Sequence, residues 1–384
     1  MSAPAGLVPP TAISRPALII GQRTIPVVLP SRGDPRLKLS AVIVTIQVLG
    51  QTLLGFKVSI AQILVSVAVG ALIETTVSYR AQHKLIWPAS GMLTGNSVAL
   101  LLRASGTRHG DWWSLHGVGF FVLAVGLALA AKHLIRPAGR HLFNPSNVGL
   151  VWILLVIGPD HVFPQYLWWG PNDLGVALAY VVIAAGVIWV LRPIHMVAMA
   201  TAFVVTFAAA VGLFALAGAS FIAIWHDGPI SGLAYWELIA LSPEVLVFVF
   251  FMMSDPQTAP STGPARMFYG SATAVAAAGL LAFQPTEFGI KLAILASLTV
   301  VCAVVPIIER LAGRLPRPAT ATGAAIARPA PLPRPRRLSH GARHPAVVAV
   351  VIIAVAATVN TAALANNTQV INIERGVTGS HNPQ

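Results

Sequence analysis

Apolar runs long enough to cross a lipid bilayer recur along this chain, and the short stretches between them hold most of its charge. A hydrocarbon core about 30 Å thick needs roughly 20 apolar residues at about 1.5 Å of helical rise each. Within lipid every backbone N–H and C=O must be satisfied internally, and for runs of this kind the α-helix does so. The runs fall at about 39–56, 58–79, 85–102, 113–134, 146–157, 173–191, 194–217, 230–253, 267–283 and 288–308. With 56% hydrophobic and 10% charged residues and a mean hydropathy of +0.75, the sequence predicts an all-α fold, a polytopic transmembrane bundle of about ten helices. Its first partner is the lipid bilayer.

The organisation around that domain, 39–308, is simple. Residues 1–38 form an N-terminal arm without the short apolar core and small-residue cleavage site of a signal peptide. Residues 309–344 are a basic, Pro/Arg-rich linker too polar to pack, 345–365 read as one extra C-terminal transmembrane helix, and 366–384 as a tail. If every run crosses once, twenty of the 25 Lys and Arg lie on the side of the arm and linker. The positive-inside rule then predicts a multi-pass cell-membrane protein with a cytoplasmic N-terminus and an extracytoplasmic C-terminus. The same distribution explains the net charge of +13 without nucleic acid, which is not an expected partner. Cys302 is the single cysteine, which excludes an internal disulfide and four-cysteine iron–sulfur or zinc sites, and no metal-ligand cluster stands out.

Polar breaks show where the helices meet something other than lipid. Asn144-Pro145 reads as an N-cap followed by proline at the first helical position, and helix 146–157 after it is short, so this turn should dip below the membrane surface. Asp255-Pro256 repeats the device at the end of the 230–253 run. The 85–102 segment holds Pro88, Gly91 and Gly95 with Ser90, Thr94 and Ser97, and should be broken or unwound. Candidate binding residues are therefore Ser90, Thr94, Asn144, Pro145, Ser146, Asn147, Ser254, Asp255, Pro256 and Thr258. For Asn144 and Asp255 two readings stand, a helix cap and a ligand contact; for Ser90 and Thr94 the alternative is a bond back to their own helix. Glu237 and Glu244, seven residues apart, share a helix face if Pro243 does not displace it, and are candidates for a proton or cation path. Glu74 reads as interfacial, His116 as structural, and Phe163, Tyr166, Trp168 and Trp169 as an interfacial aromatic belt.

Several of these motifs carry a resemblance. Phe143-Asn144-Pro145-Ser146-Asn147, the Met-Met-Ser-Asp-Pro-Gln-Thr-Ala-Pro run from Met252, Arg266-Met267-Phe268-Tyr269-Gly270 and Ser90-Gly91-Met92-Leu93-Thr94-Gly95 together resemble the NqrB/RnfD family. That family supplies membrane subunits of the sodium-translocating NADH:quinone reductase and of the Rnf electron-transport complex. Asp34-Pro35-Arg36-Leu37, Leu49-Gly50-Gln51, Ser59-Ile60-Ala61-Gln62-Ile63-Leu64 and Trp168-Trp169-Gly170-Pro171 are closest to its enediyne biosynthesis (UnbU) branch. The resemblance implies a bacterial inner-membrane electron-transport subunit with flavin, FMN or riboflavin, and redox partner proteins. It departs from the pattern at the covalent FMN site: no Ser-Gly-Ala-Thr motif lies between the two proline turns, where Ser231-Gly232-Leu233-Ala234 is the nearest fragment. Ser271-Ala272-Thr273 lies beyond them. A flavin would thus be held noncovalently, and whether the chain is an enzyme stays open. The alternative is a transporter or non-redox membrane scaffold that has kept the fold.

Overall fold

A computed structural model describes residues 17–20, 23–136, 139–165, 174–223, 225–260 and 262–312. The 345–365 helix, the tail, nearly all of the 309–344 linker, and Tyr166, Trp168 and Trp169 lie outside the described residues. The described residues begin with strands β1 (Ala17–Ile20) and β2 (Arg23–Val28) and continue through helices α1 (Pro35–Thr52) and α2 (Ile60–Gln82) to β3 (Leu85–Ile86). Helix α3 (Ala89–Leu101) follows, then β4 (Leu102–Ala104), α4 (Val118–Leu134), α5 (Pro145–Ile157) and β5 (Val162–Pro164). The second half runs α6 (Leu174–Gly186), extended by a π-helical stretch Val187–Leu191, and α7 (Val197–Leu216). It closes with β6 (Ser220–Phe221), β7 (Ile230–Ser231), α8 (Gly232–Ala240), α9 (Pro243–Val247) with a π-helical stretch Phe248–Met253, α10 (Gly263–Leu281) and α11 (Glu287–Ala312).

Among the described residues, five spans are long and apolar enough to cross a membrane: Ile60–Gln82, Leu174–Leu191, Val197–Leu216, Gly232–Met253 and Glu287–Val305. Val118–Leu134 and Pro145–Ile157 are apolar but shorter. The described chain is mostly helical, and these spans mark it as a membrane protein. The strands correct the all-α expectation in detail: β1 pairs antiparallel with β2, β2 parallel with β3, and β4 antiparallel with β5. Part of the N-terminal arm is thus bound to the bundle beside the start of α3.

Local sequence explains the helix starts. Asp34 caps α1, accepting from Arg36 N at 2.9 Å, with proline at the first helical position. Ser59 and Gln62 form a capping box on α2: Gln62 N donates to Ser59 Oγ at 2.9 Å and Ser59 N to Gln62 Oε1 at 2.8 Å. Helix α4 starts at Val118 rather than near Trp113, because Gly117 turns the chain with φ of 63°. Trp112 and Trp113 stay exposed in the preceding loop, where His116 Nε2 lies 2.8 Å from the Ser105 carbonyl.

The 85–102 segment is not broken. It is a regular helix, α3, and its glycines serve close packing instead: a Cβ at Gly91 would run into the Gly70 carbonyl, and one at Gly95 into the Ser66 carbonyl. Helices in lipid gain little from excluding water, so approach of backbones at small residues is a main source of their attraction. Gly149 against the Ala124 carbonyl and Gly270 against that of Met199 repeat the device. The pairs so formed are α2 with α3, α4 with α5 and α7 with α10, while α1 on α6 and α5 on α11 join the two halves. Phe121, Leu150, Phe203 and Phe207 are fully buried in the shared core.

Two further expectations change. The 230–253 run is split, since α8 ends at Ala240 and Pro243 opens α9 under a Ser242 cap; Glu237 is exposed, whereas Glu244 is mostly buried, so the two do not share a face. Phe163 is buried in β5 against Phe288, with ring centroids 5.1 Å apart, instead of lying in an interfacial belt.

Candidate functional site

At one end of the bundle the two proline turns meet. Asn144, with Pro145 after it, caps α5 by accepting from Asn147 N at 3.0 Å, and its Oδ1 also accepts from Ser146 Oγ at 2.9 Å. Its amide Nδ2 donates to the Met252 carbonyl at 3.1 Å, on the turn that ends the π-helical stretch. A π-helical stretch displaces the carbonyls of an α-helix and is frequent at functional sites. One turn further into α5, Asn147 donates to the Leu295 carbonyl at 3.0 Å and accepts from Thr299 Oγ1 at 2.9 Å, tying α5 to α11.

Asp255-Pro256 opens a tight turn, not a helix; α10 begins only at Gly263. The Asp255 side chain accepts from Gln257 N at 2.9 Å, its carbonyl accepts from Thr258 and Ala259 N, and its Oδ2 lies 3.0 Å from His141 Nε2. Ser254 Oγ donates back to the Phe250 carbonyl. Beneath the turn, the Thr258 side chain reaches Tyr269 and Cys302, whose hydroxyl and sulfur are 3.3 Å apart in a fully enclosed position.

Ser90 belongs to a neighbouring ionic cluster. Lys132 Nζ is 2.7 Å from Glu74 Oε2 and 2.9 Å from Ser90 Oγ, and His133 Nε2 is 3.2 Å from the same carboxylate oxygen. Lys132 also lies within electrostatic reach of Asp255, which brings the cluster beside the proline turns. Thr94 donates back to the Ser90 carbonyl at 2.9 Å, the bond within its own helix. Ser90, Asn144, Ser254, Asp255 and Thr258 are therefore gathered at one end, with Thr94 a turn away. Sequence reasoning missed Lys132, His133 and His141, and read Glu74 as interfacial; a lysine within the apolar 113–134 run was the available signal.

The arrangement has two chemical parts. Asn144, Ser146 and Asn147 are bonded within the protein and hold α5, α11 and the 252–258 turn in register. Lys132, His133, His141, Glu74 and Asp255 are partly buried donors and acceptors at the mouth of that junction. Ser271-Ala272-Thr273 sits inside α10, where the fully buried Thr273 hydroxyl donates to the Tyr269 carbonyl. Glu244 lies at the opposite end, 2.8 Å from Lys291 Nζ, which is also 2.7 Å from Glu287 Oε1. Lys291 is thus part of a buried ionic cluster.

No protein-family model matches the chain, and no curated protein matches it.

Proposed function

We propose that this chain is an integral membrane electron-transport subunit of NqrB/RnfD type, crossing the bilayer about ten times with the Asn144 end cytoplasmic. It holds a flavin, FMN or riboflavin, noncovalently where the 144–147 and 254–258 turns meet the Ser90 cluster, and exchanges electrons with partner proteins. One observation carries the reading: turns 108 residues apart interlock through Asn144 and the Met252 carbonyl, beside titratable groups that lipid alone would not tolerate. The donor set suits the pyrimidine edge of an isoalloxazine. Lys132, His133 and His141 offer N–H groups to its carbonyls, and Glu74 and Asp255 offer acceptors to its ring N–H. A bound flavin would accept and pass on electrons, while these residues orient it and set the charge around it.

A specific observation favours the runner-up, a transporter or scaffold that has kept the fold. Asn144 and Asn147 are committed to internal hydrogen bonds, so the junction closes without a ligand. Retention of supplied flavin by variants separates the two. Lys132→Met and Asp255→Asn are each expected to weaken binding about tenfold, the loss of one charge-assisted hydrogen bond, with Glu237→Gln unchanged. Equal retention in all four proteins would remove the flavin site from this end.

A further inference from the structure

Among the described residues, both polar side-chain atoms of the buried Gln165, Nε2 and Oε1, have no hydrogen-bond partner at the end opposite Asn144. Gln165 and the neighbouring Glu287 are each 1% exposed. Gln165 and Glu287 both meet one ammonium group: the Gln165 backbone carbonyl accepts from Lys291 Nζ at 3.4 Å, and Glu287 Oε1 is ion-paired to the same nitrogen at 2.7 Å. Glu244 flanks it at 2.8 Å, and Trp225 Nε1 donates to Glu287 Oε2 at 3.1 Å. Arg103, over the Phe163 ring at 5.1 Å, is a further charge on the same side of the bundle.

A carboxamide needs both a donor and an acceptor, and that of Gln165 has neither. Leaving such groups unmet in a buried site costs more than an ordinary hydrogen bond contributes, so native packing leaves them where something small and polar enters. Water offers two donors and two acceptors, which matches this inventory, and buried water characteristically joins otherwise unsatisfied polar groups. We propose that Gln165, Glu287 and Lys291 line a hydration chamber that brings exchangeable protons from that face to membrane-depth carboxylates. The chamber is closed toward the Asn144 end. Beyond Lys291, helix α11 buries Leu292, Ile294, Leu295 and Leu298, and the Thr299 contact with Asn147 lies eight residues on, about 12 Å along the axis. Trp225, 38% exposed, is bonded directly to the buried Glu287 carboxylate and links it to the protein surface. This site is independent of the flavin reading.

Hydroxyl-radical footprinting of the full chain in lipid nanodiscs tests it, because radicals formed from bound water mark adjacent rings. Phe163 and Phe288, buried beside the cluster, should be oxidised several-fold faster than Phe203 and Phe207, which are buried in apolar core. Gln165→Leu should bring them down to that baseline, and Trp225→Ala should raise them. Wild-type labelling of Phe163 and Phe288 no faster than that of Phe203 and Phe207 overturns the proposal. So does unchanged labelling in Gln165→Leu, or in Gln165→Met should the leucine variant not fold.

Discussion

Replacing Asn144 by alanine removes three bonds at the junction of the two halves. Asn147 N loses its cap acceptor, about 1 kcal/mol. The Met252 carbonyl loses its donor inside the protein, about 1–3 kcal/mol, and Ser146 Oγ loses its acceptor. The sum is about 2–4 kcal/mol, on the order of 3–5 °C in melting midpoint for a chain of 384 residues. Asn144→Ser keeps a capping oxygen and should recover about 1 kcal/mol of this. Thermal unfolding in detergent, followed by tryptophan fluorescence without added flavin, measures both. An alanine variant within about 0.5 kcal/mol of wild type, or a serine variant no better than alanine, would refute the interlocking of the turns.

Gly91→Ala and Gly70→Ala should each weaken the α2/α3 pair by about 1–3 kcal/mol, and the double variant should lose less than the sum because both strain one contact; chemical unfolding of all three checks this. The Arg36 guanidinium, donating to the Asp34 carboxylate, holds that group below the usual carboxylate range. Its contribution is therefore present at neutral pH and lost as pH falls through the lowered value. Asp34→Asn should cost about 0.5–1 kcal/mol at neutral pH, Arg36 being half exposed, and nothing in acid; a difference that persists in acid contradicts the pairing. Lys291→Met should destabilise by about 3–5 kcal/mol, and adding Glu287→Gln should restore part of it, as read from melting midpoints; no restoration would place the lysine's role elsewhere.

The helical class and most element positions were legible because the apolar runs are long and the caps are local. Asn144-Pro145 announces a helix start through its own side chain. Gly91 and Gly95 misled, since glycine in an apolar run signals either a break or a close helix contact, and only the position of Gly70 on the neighbouring helix decides between them. Pro243 likewise determines whether Glu237 and Glu244 share a face, and the hinge at Ser242 answers that only in three dimensions. The ionic partners were hidden for a related reason: Lys132 with Glu74, His141 with Asp255 and Lys291 with Glu244 join residues 47–114 positions apart. Such pairs have no local signature beyond a charge placed in an apolar run.

The proposed electron transfer stands or falls on the flavin. Full-length protein, purified gently in detergent with riboflavin or FMN supplied and then freed of unbound ligand, should show the flavin absorbance bands, bleach on chemical reduction, and release all colour on acid denaturation. Protein that carries no flavin absorbance under these conditions would contradict the account, and colour that stays on the denatured chain would contradict noncovalent attachment.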